Sequence, residues 1–404
     1  MKKFLYLHLI VLMVISISAV CAQQNESNDQ GEPDNKMLFA YQRNFARGSL
    51  STKIQVLQDA ASQERTGMGK LYMQAIRFYL DNFSTLREDP TAVELVKLAS
   101  RLAGEAQYAP AASELWQLFQ QSGDIGIKVA AVQSLGRLIT PEDQMTGSLI
   151  EYLKVQNDKF REGQDVQLQV VAETINALAR IGSTEAFPEL FAAAHIGYPQ
   201  QIEEIAAEAL GSLEGDTGRM VMEVLEQGFP KEKLPALQWA MDQESLSKDE
   251  KGRIAQKALS EGLKRLGNQS RQNELRDLRY EAIRYLTELK WSEATQLVIE
   301  NFDRTNVEVD RGITSQSTLL EAIACLGAMG TREAAVRLSL YLEVLNTYKE
   351  NGQRVDEQVA LAVINNLGIL GDETAFDHLL YTMYLDYPRS VKQAAREVLS
   401  EFKQ

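Results

Sequence analysis

The side chains able to do covalent or metal chemistry are few in this sequence and badly spaced for it. Of three histidines, His8 lies in an apolar N-terminal run, which leaves His195 and His378. With one cysteine beyond that run, Cys325, they cannot complete a tetrahedral zinc site without carboxylate help. Cys325 falls in a helical column occupied elsewhere by Ser134, Ala177, Ala209, Asn366 and Val398, so it reads as a small buried filler rather than a nucleophile. Gly-x-Ser-x-Gly, the phosphate loop and the dinucleotide fingerprint are all absent from the sequence. The sequence therefore predicts no catalytic residue, no metal and no cofactor, and function has to reside in a surface.

The N-terminus sets the compartment. "MKK" followed by "FLYLHLIVLMVISISAV" and "CAQQ" has the basic start, apolar run and small-residue cleavage site of a secretory signal peptide over residues 1–22, cut between Ala22 and Gln23. The alternative is cleavage before Cys21, with lipidation of that cysteine as an outer-membrane lipoprotein; only then is a membrane expected as a partner. Residues 23–36, "QQNESNDQGEPDNK", read as a disordered polar linker. No later stretch approaches the roughly 18 apolar residues of a membrane span, so the remainder is expected to be soluble. Losing Lys2 and Lys3 with the leader takes the formal charge from −14 to −16, and an acidic chain repels phosphate backbones, which argues against nucleic acid. A single remaining cysteine allows no internal disulfide, unlike most secreted animal domains. The expected location is the periplasm of a bacterial envelope.

The elements that must carry such a surface repeat. "LARIGSTEAF" (178–187), "LGAMGTREAA" (326–335) and "LGILGDETAF" (367–376) are versions of one phrase. Turns fall at Gly104-Glu105, Thr140-Pro141, Gly182-Ser183, Gly215-Asp216, Ser247-Lys248, Trp291-Ser292, Gly330-Thr331 and Gly371-Asp372, about 32 to 44 residues apart, the spacing of a two-helix repeat. Gly182, Gly215, Gly330 and Gly371 suit a left-handed helix end, and Ser183, Asp216, Thr331 and Asp372 suit the N-cap that follows. Pro90, Pro110, Pro141, Pro199, Pro230 and Pro388 fall at apparent helix starts. Aligning the second helices on Leu135, Leu178, Leu210, Leu326, Leu367 and Leu399 places a small residue next in every case: Gly136, Ala179, Gly211, Gly327, Gly368 and Ser400. Such a column makes sense where helices of successive layers approach closely. Apolar positions follow a 3.6 period and no stretch alternates as a strand would.

On "ALARIGSTEAFPEL", "CLGAMGTREAAVRL" and "NLGILGDETAFDHLL" the chain resembles the HEAT-repeat family, including the HEAT-like repeats of bilin lyases. The resemblance is strong over about residues 124–218 and 292–404 and weaker over 50–123 and 219–291. It implies an all-α, right-handed α-α superhelix of about eight helix pairs over residues 37–404, with an N-terminal cap region (37–90) and a C-terminal capping helix (388–404). It also implies a scaffold or binding platform. Some HEAT-like enzymes bind iron through His-Glu pairs, but His195 and His378 are followed by Ile196 and Leu379. A lyase-type enzyme is the remaining enzymatic alternative.

In this family the second helix of each pair lines the concave face. Slots nine, five and two residues before the aligned leucine share one side of that helix. They hold Gln169, Glu173 and Asn176, then Gln201 and Glu208, then Ser317 and Glu321, then Gln358 and Asn365. The result is an amide-rich, mildly acidic groove suited to another protein or an extended peptide; the plain alternative is a solvated face. Three segments, 155–165, 303–316 and 345–357, read as long loops within the pairs and as second candidates for binding. "YTMYLDYP" (381–388) is read either as terminal packing or as a docking patch, and "GLKRLGNQSRQNELRDLRYEAIR" as a salt-linked helix surface. Oligomeric state is not encoded in any of these features.

Overall fold

Each of the three matching phrases ends one helix and starts the next. Gly182, Gly330 and Gly371 adopt φ of 75°, 65° and 65°, the left-handed conformation that stops a helix at no steric cost to glycine. The side chains of Thr331 and Asp372 then accept the backbone N–H of Ala334 and Thr374, satisfying donors that the new helix cannot pair internally. Ser183 is buried and makes no such bond, and its helix starts through a 3-10 turn at Thr184–Ala186.

The computed structural model describes residues 31–62 and 67–402, and among them every regular element is helical. The expected signal peptide (1–22) and residues 23–30 of the expected linker lie outside the described residues; Gly31–Lys36, expected as linker, are helical. The chain divides into two compact units at Glu214/Gly215. The first contains α1 (Gly31–Arg47), α2 (Leu50–Ser62), α3 (Gly69–Asp81), α4 (Phe83–Leu86), α5 (Pro90–Glu105), α6 (Ala112–Gln121), α7 (Ile125–Leu138), α8 (Gln144–Arg161), α9 (Leu168–Ile181), α10 (Phe187–His195) and α11 (Gln200–Ser212). The second contains α12 (Thr217–Gln227), α13 (Pro230–Asp242), α14 (Lys248–Gly262), α15 (Gln269–Leu289), α16 (Thr295–Asp310), α17 (Gln316–Met329), α18 (Arg332–Glu350), α19 (Glu357–Leu370), α20 (Phe376–Thr382) and α21 (Arg389–Glu401).

From α6 onward consecutive helices pack as hairpins, one after each of the eight turns read from the sequence. Alternate helices also pack. In the first unit α3, α5, α7, α9 and α11 lie each against the next, as do α13, α15, α17, α19 and α21 in the second. The aligned leucines, Leu135, Leu178, Leu210, Leu326, Leu367 and Leu399, are all buried. Close approach follows the small-residue column. A Cβ on Gly136 would come within 2.8 Å of Ala177, one on Gly368 within 2.8 Å of Val398, and one on Gly327 would run into the Asn366 side chain. The rule is that the residue after the leucine touches the residue before the leucine of the next helix. Gly104, which follows Ala103 rather than a leucine, makes the same contact, facing Ser134, whose hydroxyl donates to the Ser100 carbonyl at 2.8 Å. Gly211 breaks it, with open space around its Cβ position.

Several local expectations are corrected. The 155–165, 303–316 and 345–357 segments are mostly not loops: α8, α16 and α18 run on to Arg161, Asp310 and Glu350, leaving connections of only a few residues. Gly215 is not left-handed, because α11 ends in extended backbone at Leu213. The expected turns at Gly104-Glu105 and Trp291-Ser292 follow α5 and α15, with Gln107 (φ 49°) and Lys290 (φ 51°) as their left-handed residues. Pro141 precedes α8 within a turn whose cap is Asp143. The basic stretch around α15 is not all surface, since Arg279 is fully buried.

Candidate protein-binding surface

Burying one side of each second helix leaves a polar side exposed, and the sequence-predicted slots fall on it. In the first unit Gln169, Glu173 and Asn176 lie along α9 and Gln201 and Glu208 along α11, which packs against it. Gln169, Gln201 and Glu208 are exposed; Glu173 and Asn176 are half-buried, with Asn176 Nδ2 donating to Glu173 Oε2 at 3.2 Å. In the second unit Ser317 and Glu321 on α17 and Gln358 and Asn365 on α19 are exposed on neighbouring helices. The structure thus brings together the two sets within their own units.

Two hollows mark this side of the second unit. One, of 540 Å³, lies between the starts of α17 and α19 and is lined by Ser317, Leu320, Asp356 and Gln358 among others. Asp356 is committed to capping α19, accepting from the N–H groups of Gln358 and Val359. The other, of 210 Å³, lies between α15 and α17 and includes Glu321, Thr287 and Arg284, the last paired with Glu281 at 2.9 Å. The first is an open trough of amides, a hydroxyl and carboxylates around Leu320; the second mixes Glu288, Glu321, Thr287 and Arg284 with Ile283 and Ala324. Such surfaces can hydrogen-bond an extended chain and offer no assembled acid-base pair.

The reactive candidates are placed elsewhere. Cys325 is fully buried, and burial pushes its thiol up to about 12. His195 shares a 2.8 Å hydrogen bond with the Phe191 carbonyl and stacks on the Phe191 ring at 4.1 Å between centroids. The backbone carbonyl of His378 accepts from Asn346 and Thr382. Among the described residues no group of three or more His, Cys, Asp or Glu is arranged to hold a metal, and no helix is long and apolar enough to cross a membrane.

What sequence reading missed is a set of polar groups buried between the long first helices and their neighbours. Asn157 on α8 donates through Nδ2 to the carbonyl of Glu189 on α10 (3.0 Å) and to its carboxylate (2.9 Å). Asn346 on α18 donates to the carbonyl of His378, at the equivalent third position of α20, and accepts from Thr382. Between α15 and α16, Glu308 receives Arg279 and also Arg304, whose guanidinium reaches the Leu263 carbonyl as well. Burial alone would raise the Glu308 carboxyl, but the two guanidinium groups hold it below the ordinary range. Lys233 on α13 caps the end of α12 through the Leu225 carbonyl and pairs with buried Glu261 at 2.9 Å. Lys53 caps α1 in the same way through Phe45, between the rings of Phe45 and Phe78.

No protein-family model matches the chain, and no curated protein does.

Proposed function

We propose that this chain is a non-catalytic protein–protein interaction scaffold or adaptor of the bacterial cell envelope, built as a HEAT-like, right-handed α-solenoid. Its partner, another protein or an extended peptide, lies along the exposed side of the second helices. The observation that supports this reading is the packing of α9 against α11 and of α17 against α19. On those neighbouring helices lie Gln169, Glu173, Asn176, Gln201 and Glu208 in one unit and Glu321, Gln358 and Asn365 in the other. A wall repeating amides and carboxylates at helix spacing matches the alternating donors and acceptors of an extended backbone. Export rests on the leader and periplasmic residence on cleavage at Ala22; a mature N-terminus beginning at an acylated Cys21 would move the protein to the membrane surface.

The test is affinity capture from native envelopes with wild type and a Glu173→Lys, Glu208→Lys double variant, beside mass spectrometry of the mature N-terminus. The reading predicts that the variant loses partners the wild type retains while melting at the same temperature. An unchanged captured set rejects the wall.

A further inference from the structure

A second surface, on the opposite set of helices, follows from side chains that the scaffold reading leaves unused. On α18 the positions Val336, Leu340, Val344 and Tyr348 recur every four residues, and all are exposed, by 38, 48, 41 and 46 %. They lie outside the buried face of α18, which is formed by Ala334, Ala335, Leu338, Tyr341, Leu342 and Leu345 with Ser339 and Asn346. The upper half of the stripe borders a shallow groove of 380 Å³ against α16, closed on the far side by Ile299. α16 adds Val307, also exposed. Scattered exposed apolar residues need no explanation, but a continuous row along one helix bordering a groove on the next does.

The charge around the row selects the occupant. Glu300 and Asp310 on α16 and Glu333, Glu343 and Glu350 on α18 are exposed, and among the described residues none of them is in a salt bridge. Of the cations of α18, Arg337 borders the groove but is held by Asp303 with its guanidinium over Phe302, and Lys349 lies over the Tyr387 ring; Arg332, exposed at the end of the groove, is outnumbered by the five carboxylates. The stripe is therefore apolar with an acidic rim. A second copy would set two acidic rims against each other, and an anionic lipid surface would be repelled in the same way. A four-residue repeat with a neighbouring groove fits a helix laid along it.

We propose that the face formed by α16 and α18 docks a basic amphipathic helix of a partner protein, its apolar side on Leu340 and Val344 and its lysines or arginines over Glu333, Glu343 and Glu350. This site is separate from the wall of second helices and stands or falls without it.

Labelled synthetic peptides of about 18 residues, five helical turns, test the idea on the full chain by fluorescence anisotropy: a Leu/Lys amphipathic helix, its Leu/Glu counterpart, and a Leu/Lys isomer scrambled to remove the apolar side. The proposal predicts saturable binding of the first alone, weaker at raised salt. It also predicts about tenfold weaker binding to a Leu340→Ser, Val344→Ser double variant, and unchanged binding to the Glu173→Lys, Glu208→Lys variant. Because the serine variant keeps every charge, equal affinity for it, or for the scrambled peptide, would mean mere attraction to an acidic protein and overturn the proposal. Concentration-dependent self-association lost in the serine variant, or binding to anionic vesicles lost in it, would assign the face to a second copy or to lipid and overturn it equally.

Discussion

The long first helices α8 and α18 occupy equivalent places in their units and differ in what they show to solvent. Each carries a buried asparagine, Asn157 or Asn346, that donates to the third residue of the next first helix. Aligned on that asparagine, Gly147, Glu151, Val155 and Lys159 of α8 stand where α18 has Val336, Leu340, Val344 and Tyr348. The inward face is held by the hydrogen bonds that join layers, whereas the outward face is free of that demand. The inward face thus repeats between the two helices while the outward residues diverge.

The largest effect should come from the buried polar ends of these helices, and it should separate ionic from amide solutions. Glu308→Gln leaves Arg279 buried without its counter-charge and should cost about 3–5 kcal/mol in urea unfolding. The same variant should flatten acid denaturation. Glu308 is held below the ordinary carboxylate range when folded, so its contribution is present above the unfolded value of about 4.3 and is lost as pH falls through the folded one. A wild-type acid limb that survives Glu308→Gln unchanged would show that the triad does not couple to pH.

A smaller difference should distinguish the two asparagines. Asn346→Ala removes a donor and an acceptor, since Thr382 bonds to its Oδ1, and should cost about 1–3 kcal/mol. Asn157→Ala should cost less, because Oδ1 of Asn157 has no partner in the fold. Equal losses would break the ranking. The layer contact comes next. Gly327→Ala drives a methyl into Asn366 and should destabilise by about 1–3 kcal/mol. By contrast Gly211→Ala meets open space and should gain up to about 1 kcal/mol from helix propensity alone. The same sign at both positions would show that stacking does not depend on the small column. The smallest effect, a gain of about 0.5–1 kcal/mol, is expected for Lys290→Gly, which relieves a left-handed lysine; Gly371→Ala should move the melting temperature the other way.

Which of these features could be read beforehand follows from how each is encoded. The glycine turns at Gly182, Gly330 and Gly371 and the leucine columns were legible because each is a residue type with a single physical use. The ends of α8, α16 and α18 were not, because the apolar period stops at Leu153, Phe302 and Leu345 while the buried face continues through Asn157, Thr305 with Glu308, and Asn346. Polar residues at those positions look like loop. The left-handed residues that close two of the turns, Gln107 and Lys290, were not legible because neither is glycine. Arg279 was hidden among exposed arginines and glutamates, and only the layer above shows that it is enclosed. That Gln169, Gln201, Glu208, Glu321, Gln358 and Asn365 are exposed on their helices was legible because exposure needs only helix phase. The apolar row on α18 was equally present in "VRLSLYLEVLNTY", but the same spacing serves a core face, and only burial separates one from the other.

The most direct test of this account is a hydrogen-exchange footprint of the Leu/Lys amphipathic peptide on the full chain. Slower exchange over residues 295–310 and 332–350, with 144–161 unchanged, is the expected pattern. Protection spread equally over 144–161, or concentrated on α9 and α11 instead, would contradict it.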